Sequence, residues 1–501
     1  MNKELVNYLE KPQKKVPAKI KKSTAVRKGK TLKKSVSVKK GITKLMPEVM
    51  VHEPSPLTPE QATLLKKELQ RNPEKMLKWA KGAFDSRIEL IDLANYLNQA
   101  EVFLQNQKEG ANLLKKESAL LKSSMPLPSG FDFPGYDKNY CPVDLGKYKY
   151  ETLRDALGWL VFSGPHYLFP SDPYPFRWHT APNCSDFIYT ANELENGKES
   201  VEIALISDFG TDYYHTAYIA KQLKDRKFPY TVHLGDIYYA GKTDEYKNNF
   251  KKWIDPILDS TSFYTLNSNH DMMSGSESYF KYISERLSKH KNQRQVGSYF
   301  CLRFGKFQLI GIDTDYFGIS RYENDRLKTW LKDRLTEGRK ENMCNILLSS
   351  NYPYIYDSYE PSELLDKDLR EIVIKDQLVD LWFWGDSHYC ALYDRNTILP
   401  FIGSCIGHGG YPYKKTGYDE VKKGNIYPPP VRFLETKSRF WKWPNLRPDM
   451  GNNGYCILRL KNTQEVELEY IDWMSYQRCN VKLKFNQYGQ FVINDCSEFD
   501  I

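Results

Sequence analysis

Between residues 201 and 404 the sequence sets short apolar runs against polar, helix-patterned stretches. The runs are VEIALIS (201–207), YTVHL (230–234), SFYTL (262–266), YFCLRF (299–304), FQLIGI (307–312), CNILLS (344–349), DLWFW (380–384) and LPFIGS (399–404). Runs this short, rich in β-branched and aromatic residues, read as buried strands rather than helices. Helix-patterned segments between several of them, such as TDYYHTAYIAKQL after the first, make the region an α/β fold with central sheets.

The polar residues at the strand exits are more informative than the strands themselves. Asp208-Phe209-Gly210-Thr211 comes after the first run, and Gly235-Asp236-Ile237-Tyr238-Tyr239 after the second. Asn269-His270-Asp271 comes just after the third. Ser350-Asn351-Tyr352-Pro353 succeeds CNILLS, and Gly385-Asp386-Ser387-His388 succeeds DLWFW. Each exit alone is a commonplace polar turn, but the five in this order offer a set of oxygen and imidazole ligands. Sites in α/β sheets gather at the carboxyl ends of strands. If Asp208, Asp236 and Asp386 converge in a partly buried place, their charges require a compensating cation, and a divalent metal supplies it.

The order D-x-G, G-D-x-x-Y, N-H-D, a loop before proline and G-x-x-H resembles the calcineurin-like metallophosphoesterase superfamily, nearest its purple acid phosphatase-like branch. The resemblance spans residues 201 to about 415, including IGHGGYPY at 406–413, and extends to closing strands near 454–471. It implies a metallophosphoesterase-type β-sandwich flanked by helices, in which a metal-bound hydroxide at a two-metal site hydrolyses a phosphoester. It further implies that Asp208, Asp236, Tyr239 and His388 bind the first metal, Fe or Mn. Asp236 then bridges to a second metal, whose other ligands come from Asn269, Asn351 and Asp386. His270, paired with Asp271, takes the part of the catalytic acid.

Two positions depart from the family pattern. Asn351 and Asp386 stand where members usually carry histidine, which makes the second site one of oxygen donors. Oxygen ligands suit hard cations, so Mn, Mg or Fe is expected there over Zn. Asp386 also adds negative charge where an anionic phosphate must bind. The alternative to an active phosphoesterase is therefore a catalytically weak or inactive protein of the same fold, acting as a binding or scaffold module.

The rest of the chain divides by composition. Residues 1–45 hold 15 Lys/Arg and two Glu, whereas the remaining residues carry 57 basic and 61 acidic groups. The net charge of +9 thus belongs to a lysine-rich tail too poor in apolar residues to fold alone, and it reads as a disordered arm. Such a tail suits contact with nucleic acid or an anionic membrane. Residues 46–125 read as a helical region, with Thr58 as N-cap and Pro59 at the first helical position. A Pro- and aromatic-rich connector with one helix at YETLRDALGWLV occupies 126–195, and the phosphoesterase-like domain 196–501. The nine cysteines are scattered without a C-x-x-C, which argues for reduced thiols. No run approaches the ~18 apolar residues of a membrane span, and the N-terminus lacks a signal-peptide core. The expectation is an intracellular, cytoplasmic protein, with nuclear residence or export without a signal peptide as the alternatives.

Other residues invite weaker readings. His408, in the glycine-rich stretch, lines the pocket or anchors its loop. Asp313 and Asp315 end a strand, where turn formation is the expected role. His215 and His233 are expected to be structural. No Walker A, dinucleotide-binding glycine motif or G-x-S-x-G elbow is present, so nucleotide-driven, hydride-transfer and serine-hydrolase chemistries find no support.

Overall fold

The computed structural model describes residues 59–83, 90, 93, 94, 97, 98, 171–175, 187–211, 214–291, 293–316, 325–356, 360–411, 430–436 and 451–499. The tail, the helix expected at 150–161 and most of the helical stretch after residue 83 lie outside the described residues.

Strands appear at each of the eight apolar runs. In chain order the described strands are β1 (Ile188–Ala191), β2 (Ser200–Ile206), β3 (Tyr230–His233), β4 (Ser262–Thr265), β5 (Phe300–Phe304), β6 (Phe307–Ile312), β7 (Cys344–Ser349) and β8 (Leu381–Trp384). Next come β9 (Cys390–Tyr393), β10 (Ile402–Ile406), β11 (Val431–Leu434), β12 (Gly454–Lys461), β13 (Val466–Asp472), β14 (Gln477–Phe485) and β15 (Phe491–Glu498). They form an eight-stranded sheet, β1-β5-β6-β7-β8-β10-β9-β11, and a seven-stranded sheet, β15-β14-β13-β12-β2-β3-β4.

Alternation along the strands packs the two sheets face to face. Ile203 and Leu205 of β2 point into one cluster with Leu309 of β6, Ile346 and Leu348 of β7, Phe383 of β8 and Leu458 of β12. Ala204 and Ile206, on the opposite face of β2, join the cluster beneath the helices. Side chains two apart share a face, so one strand serves both cores. Strands β6, β7 and β8 run parallel and are buried along their whole length, as a sheet covered on both faces requires.

The helices fit this frame. Helix α1 (Pro59–Arg71) begins at Pro59 and buries Ala62, Leu65 and Leu69, three and four apart. Helix α2 (Pro73–Ala83) begins just past Asn72. Helix α3 (Tyr214–Arg226) comes after β2 and buries Tyr218, Ile219 and Leu223. Helix α4 (Asp325–Lys340) precedes β7 and buries Leu327, Trp330, Leu331 and Leu335. Among the described residues, no helix is long and apolar enough to cross a membrane.

The topology makes the site a joint product of both sheets. Strands β2, β3 and β4 are parallel neighbours in one sheet, and β7 and β8 in the other. Their polar exits meet at one end of the sandwich: Asp208, after β2, accepts a hydrogen bond from the backbone of Asp386, after β8.

Candidate metal centre

Asp208, Asp236 and His388 each present a ligand atom within 4.8 Å of the other two, and all three are buried. Asp208 Oδ1 lies 3.3 Å from His388 Nε2. Its Oδ2 accepts from the Ser207 hydroxyl at 2.8 Å and from Asp386 N–H at 3.1 Å. Asp236 accepts at Oδ2 from the Tyr238 hydroxyl at 3.1 Å, while its fully buried Oδ1 has no hydrogen-bond partner. Asp208, Asp236, Asp386 and His388 all have positive φ, between 51° and 75°. Non-glycine residues seldom adopt that region, and clusters of such strain mark functional sites.

A tyrosine closes the centre. Tyr238 Oη lies 2.5 Å from Asp208 Oδ1, 3.1 Å from Asp236 Oδ2 and 2.9 Å from His388 Nε2. The resemblance assigned this place to Tyr239. That neighbour is buried as well, and its backbone shapes the site: its N–H donates to Glu245 and its carbonyl faces His270 Nδ1 at 2.7 Å. The Glu245 carboxylate also takes the N–H groups of Ala240 and Lys242, which fixes the loop that carries both tyrosines. Tyr411 packs its ring 4.3 Å from those of Tyr238 and His388.

His270 is oriented by the backbone rather than by Asp271. Because its Nδ1 faces the Tyr239 carbonyl, that nitrogen carries the proton, and buried Nε2 is left without a partner. Asp271 instead accepts from the Ser268 hydroxyl at 2.6 Å and from Tyr246 at 2.8 Å. The expected pairing of His270 with Asp271 is therefore corrected: successive residues on a helical turn point apart. Ser268 also accepts from the backbone N–H of Asp236, so Asp271 braces the loop that holds a metal candidate.

The residues expected around a second ion form hydrogen-bonded pairs. Asn269 Nδ2 donates to Asp386 Oδ1, and Asn351 Nδ2 donates to Asp315 Oδ2, each at 3.1 Å. Asp313 behaves as a turn-former, accepting from the N–H groups of Asp315 and Tyr316. His408 is buried, with its Nδ1 unpartnered and its backbone carbonyl accepting from Gly454 N–H. His233 is structural, its Nδ1 3.0 Å from the Thr265 hydroxyl.

The electrostatics are set by burial. Burial, then the charge of Asp236, pushes the Asp208 carboxyl well above the usual carboxylate range. Asp386 is raised in the same way by burial, Asp236 and Asp315. Burial also acts to raise Asp236, but His270, the Ser268 hydroxyl and His388 together hold it below the usual range. The site thus concentrates carboxylates around Asp236, whose own carboxyl is held below the usual range, and leaves one buried oxygen unsatisfied. The donor set of two carboxylates and an imidazole fits a transition-metal cation, which would relieve both the carboxylate crowding and the unsatisfied oxygen.

Residues 201–390 match the calcineurin-like phosphoesterase family. This region is a calcineurin-like phosphoesterase domain. Similar solved structures include GAP50, the anchor in the inner membrane complex of Plasmodium (14% identity, 61% of this chain and 90% of that one, TM-score 0.42). A purple acid phosphatase from yellow lupin (Lupinus luteus) seeds is 16% identical over 56% of this chain and 53% of its own, with a TM-score of 0.42. A dimetal phosphatase from Danio rerio is 11% identical over 57% of this chain and 99% of its own, with a TM-score of 0.37. No curated protein sequence matches the chain.

Sequence reasoning missed three participants in this phosphoesterase domain: Tyr238, Glu245 and Asp315. Two adjacent tyrosines in a loop give no periodicity by which to choose between them. Glu245 did have a signal, since Lys-Thr-Asp-Glu at 242–245 places a carboxylate three residues after a helix-starting position.

Proposed function

We propose that this domain hydrolyses a phosphoester with two metal ions held at the exits of β2, β3, β4, β7 and β8. The observation that carries the reading is the buried Asp208–Asp236–His388 cluster with its unsatisfied Asp236 Oδ1. Asp208, Asp236 and His388, with the tyrosine of the 238–239 pair, hold the first ion, Fe or Mn. Asp236, Asn269, Asn351 and Asp386 offer oxygen donors to the second, for which Mn, Mg or Fe suits better than Zn. Ions bound there would polarise the phosphoryl group and acidify the attacking water.

The chain's own residues orient the remaining chemistry. Held through Nδ1 by the Tyr239 carbonyl, His270 leaves Nε2 as its other ring atom, and in the doubly protonated imidazolium form that nitrogen would carry the proton for the leaving oxygen. Ser268, fixed by Asp271, holds the backbone of Asp236 in place. A second reading, a weakly active or inactive binding module, is favoured by one observation. The Asn269–Asp386 and Asn351–Asp315 pairs already satisfy polar groups that a second ion would need.

Turnover of aryl phosphate mono- and diesters by the full chain, loaded with Mn²⁺ or Fe, tests the proposal. The expected result is metal-dependent hydrolysis abolished by Asp236→Ala and reduced about 10²–10⁴-fold by His270→Ala. Equal rates for wild type and Asp236→Ala would overturn it.

A further inference from the structure

Strands β14 and β15 pair antiparallel, with Cys479 opposite Glu498 and Val481 opposite Cys496. Alternation then puts Cys479, Val481 and Cys496 on the same face, the two cysteines offset diagonally by two residues. That face is the one turned toward the other sheet: Cys479 and Val481 belong to the inter-sheet core, and Cys496 packs against it. The two sulfurs lie 3.7 Å apart. A disulfide bond needs about 2.0 Å, so the two sulfurs must draw closer for the bond to form.

The surroundings make the two thiols unequal. Of the seven cysteines among the described residues, six are buried and Cys496 is half-buried. Its sulfur lies 3.8 Å from the carbonyl of Arg432 in β11, at the edge of the opposite sheet. The hydrogen bond from Cys479 and the charge of Arg432 favour a thiolate on Cys496, against burial and the charges of Glu498 and Asp495. An accessible thiol with thiolate character beside a buried thiol is the arrangement of an attacking and a resolving cysteine.

We propose that Cys479 and Cys496 are a peroxide-sensitive dithiol that closes to an intrachain disulfide, locking the β14–β15 hairpin where it meets β11. The sulfur of Cys496 attacks a hydroperoxide, ROOH. The O–O bond breaks, ROH leaves, and Cys496 becomes a sulfenic acid. Cys479 sulfur then attacks that sulfur; the S–O bond breaks, the S–S bond forms and water leaves. Two thiols thus lose two electrons and two protons, and ROOH is reduced to ROH and H₂O. Hydrogen peroxide (R = H) is the simplest such oxidant, and dithiothreitol reverses the change.

The test is peptide mass spectrometry on the full chain after treatment with hydrogen peroxide and alkylation of the remaining thiols. Trypsin cuts at Lys482 and Lys484, so the two cysteines fall in separate peptides unless bridged. The expected result is a linked Cys479–Cys496 pair, absent after dithiothreitol and absent in Cys496→Ser, with Cys301 and Cys344 still alkylated once the protein is denatured. Recovery of both cysteines as alkylated thiols, of Cys496 as sulfinic acid beside a free Cys479, or of either one joined to a different cysteine would overturn the proposal. Should Cys496→Ser fail to fold, the wild-type linkage and its reversal decide the matter alone.

Discussion

Asn269 donates its side-chain amide to Asp386 Oδ1 at 3.1 Å, joining two residues that the resemblance places on one metal ion. The pair satisfies both groups without an ion, and Asp386 feels the added charges of Asp236 and Asp315. Replacing Asp386 by histidine removes one charge, frees the Asn269 amide and supplies a nitrogen donor. Asp386→His combined with Asn351→His should tighten Zn²⁺ binding by about tenfold or more, roughly 1.4 kcal/mol, with Mg²⁺ gaining less. Competitive metal titration of wild type and double variant reads the ratio directly.

Tyr238 has its own signature. Its hydroxyl meets Asp208, Asp236 and His388 at once, so removing it leaves buried acceptors unmatched. Tyr238→Phe should destabilise the metal-free protein by about 1–3 kcal/mol, and metal should restore part of the loss. Tyr239→Phe, whose backbone contacts are retained, should be milder in the metal-free protein. Denaturant midpoints with and without metal separate the two.

Glycine is required at position 407 by proximity. A Cβ there would stand 2.9 Å from the backbone nitrogen of His388 and 3.1 Å from Asp208 Oδ2. Gly407→Ala should displace two first-site residues and lower metal affinity, while Gly197→Ala, in open space at φ +89°, should leave it unchanged. Calorimetric titration of each folded variant with Mn²⁺ checks the contrast.

His408 gives a pH test. Burial pushes its imidazole down from 6.5 to about 4. Between those values the unfolded chain binds a proton that the folded chain refuses. Its contribution is therefore present above about pH 6.5 and lost as pH falls toward about 4. On going from about pH 7 to about pH 4, wild type should lose about 3 kcal/mol more stability than His408→Gln, at roughly 1.4 kcal/mol per pKa unit. Asp271, Asp313 and Asp315, raised by burial to about 8, 6 and 7, act in the opposite sense, but they are common to both proteins and cancel in the difference. Urea unfolding at the two pH values measures it.

Much of the sandwich is legible because its signals are local. A buried strand announces itself through a short apolar run, and the five polar exits come directly after β2, β3, β4, β7 and β8. That these exits come from two sheets is not legible, since the strand order β15-β14-β13-β12-β2-β3-β4 joins segments far apart in the chain. Nor is β14 announced: its solvent-facing lysines, at 482 and 484, interrupt the apolar run. The site shows the same division. Asp208, Asp236 and His388 could be taken from motif order, whereas Tyr238, the Asp315–Asn351 bond and the Tyr239 carbonyl beneath His270 depend on how loops fold over one another.

The central claim is that the Asp208–Asp236–His388 cluster binds metal. Metal content per chain, by mass spectrometry on protein purified without chelators and loaded in turn with Mn²⁺, Fe and Zn²⁺, tests it most directly. The account predicts stoichiometric metal that is lost in Asp236→Ala and in His388→Ala, with the fold of each variant confirmed by circular dichroism. Metal at background levels in wild type, or metal retained at full stoichiometry in both folded variants, would contradict it.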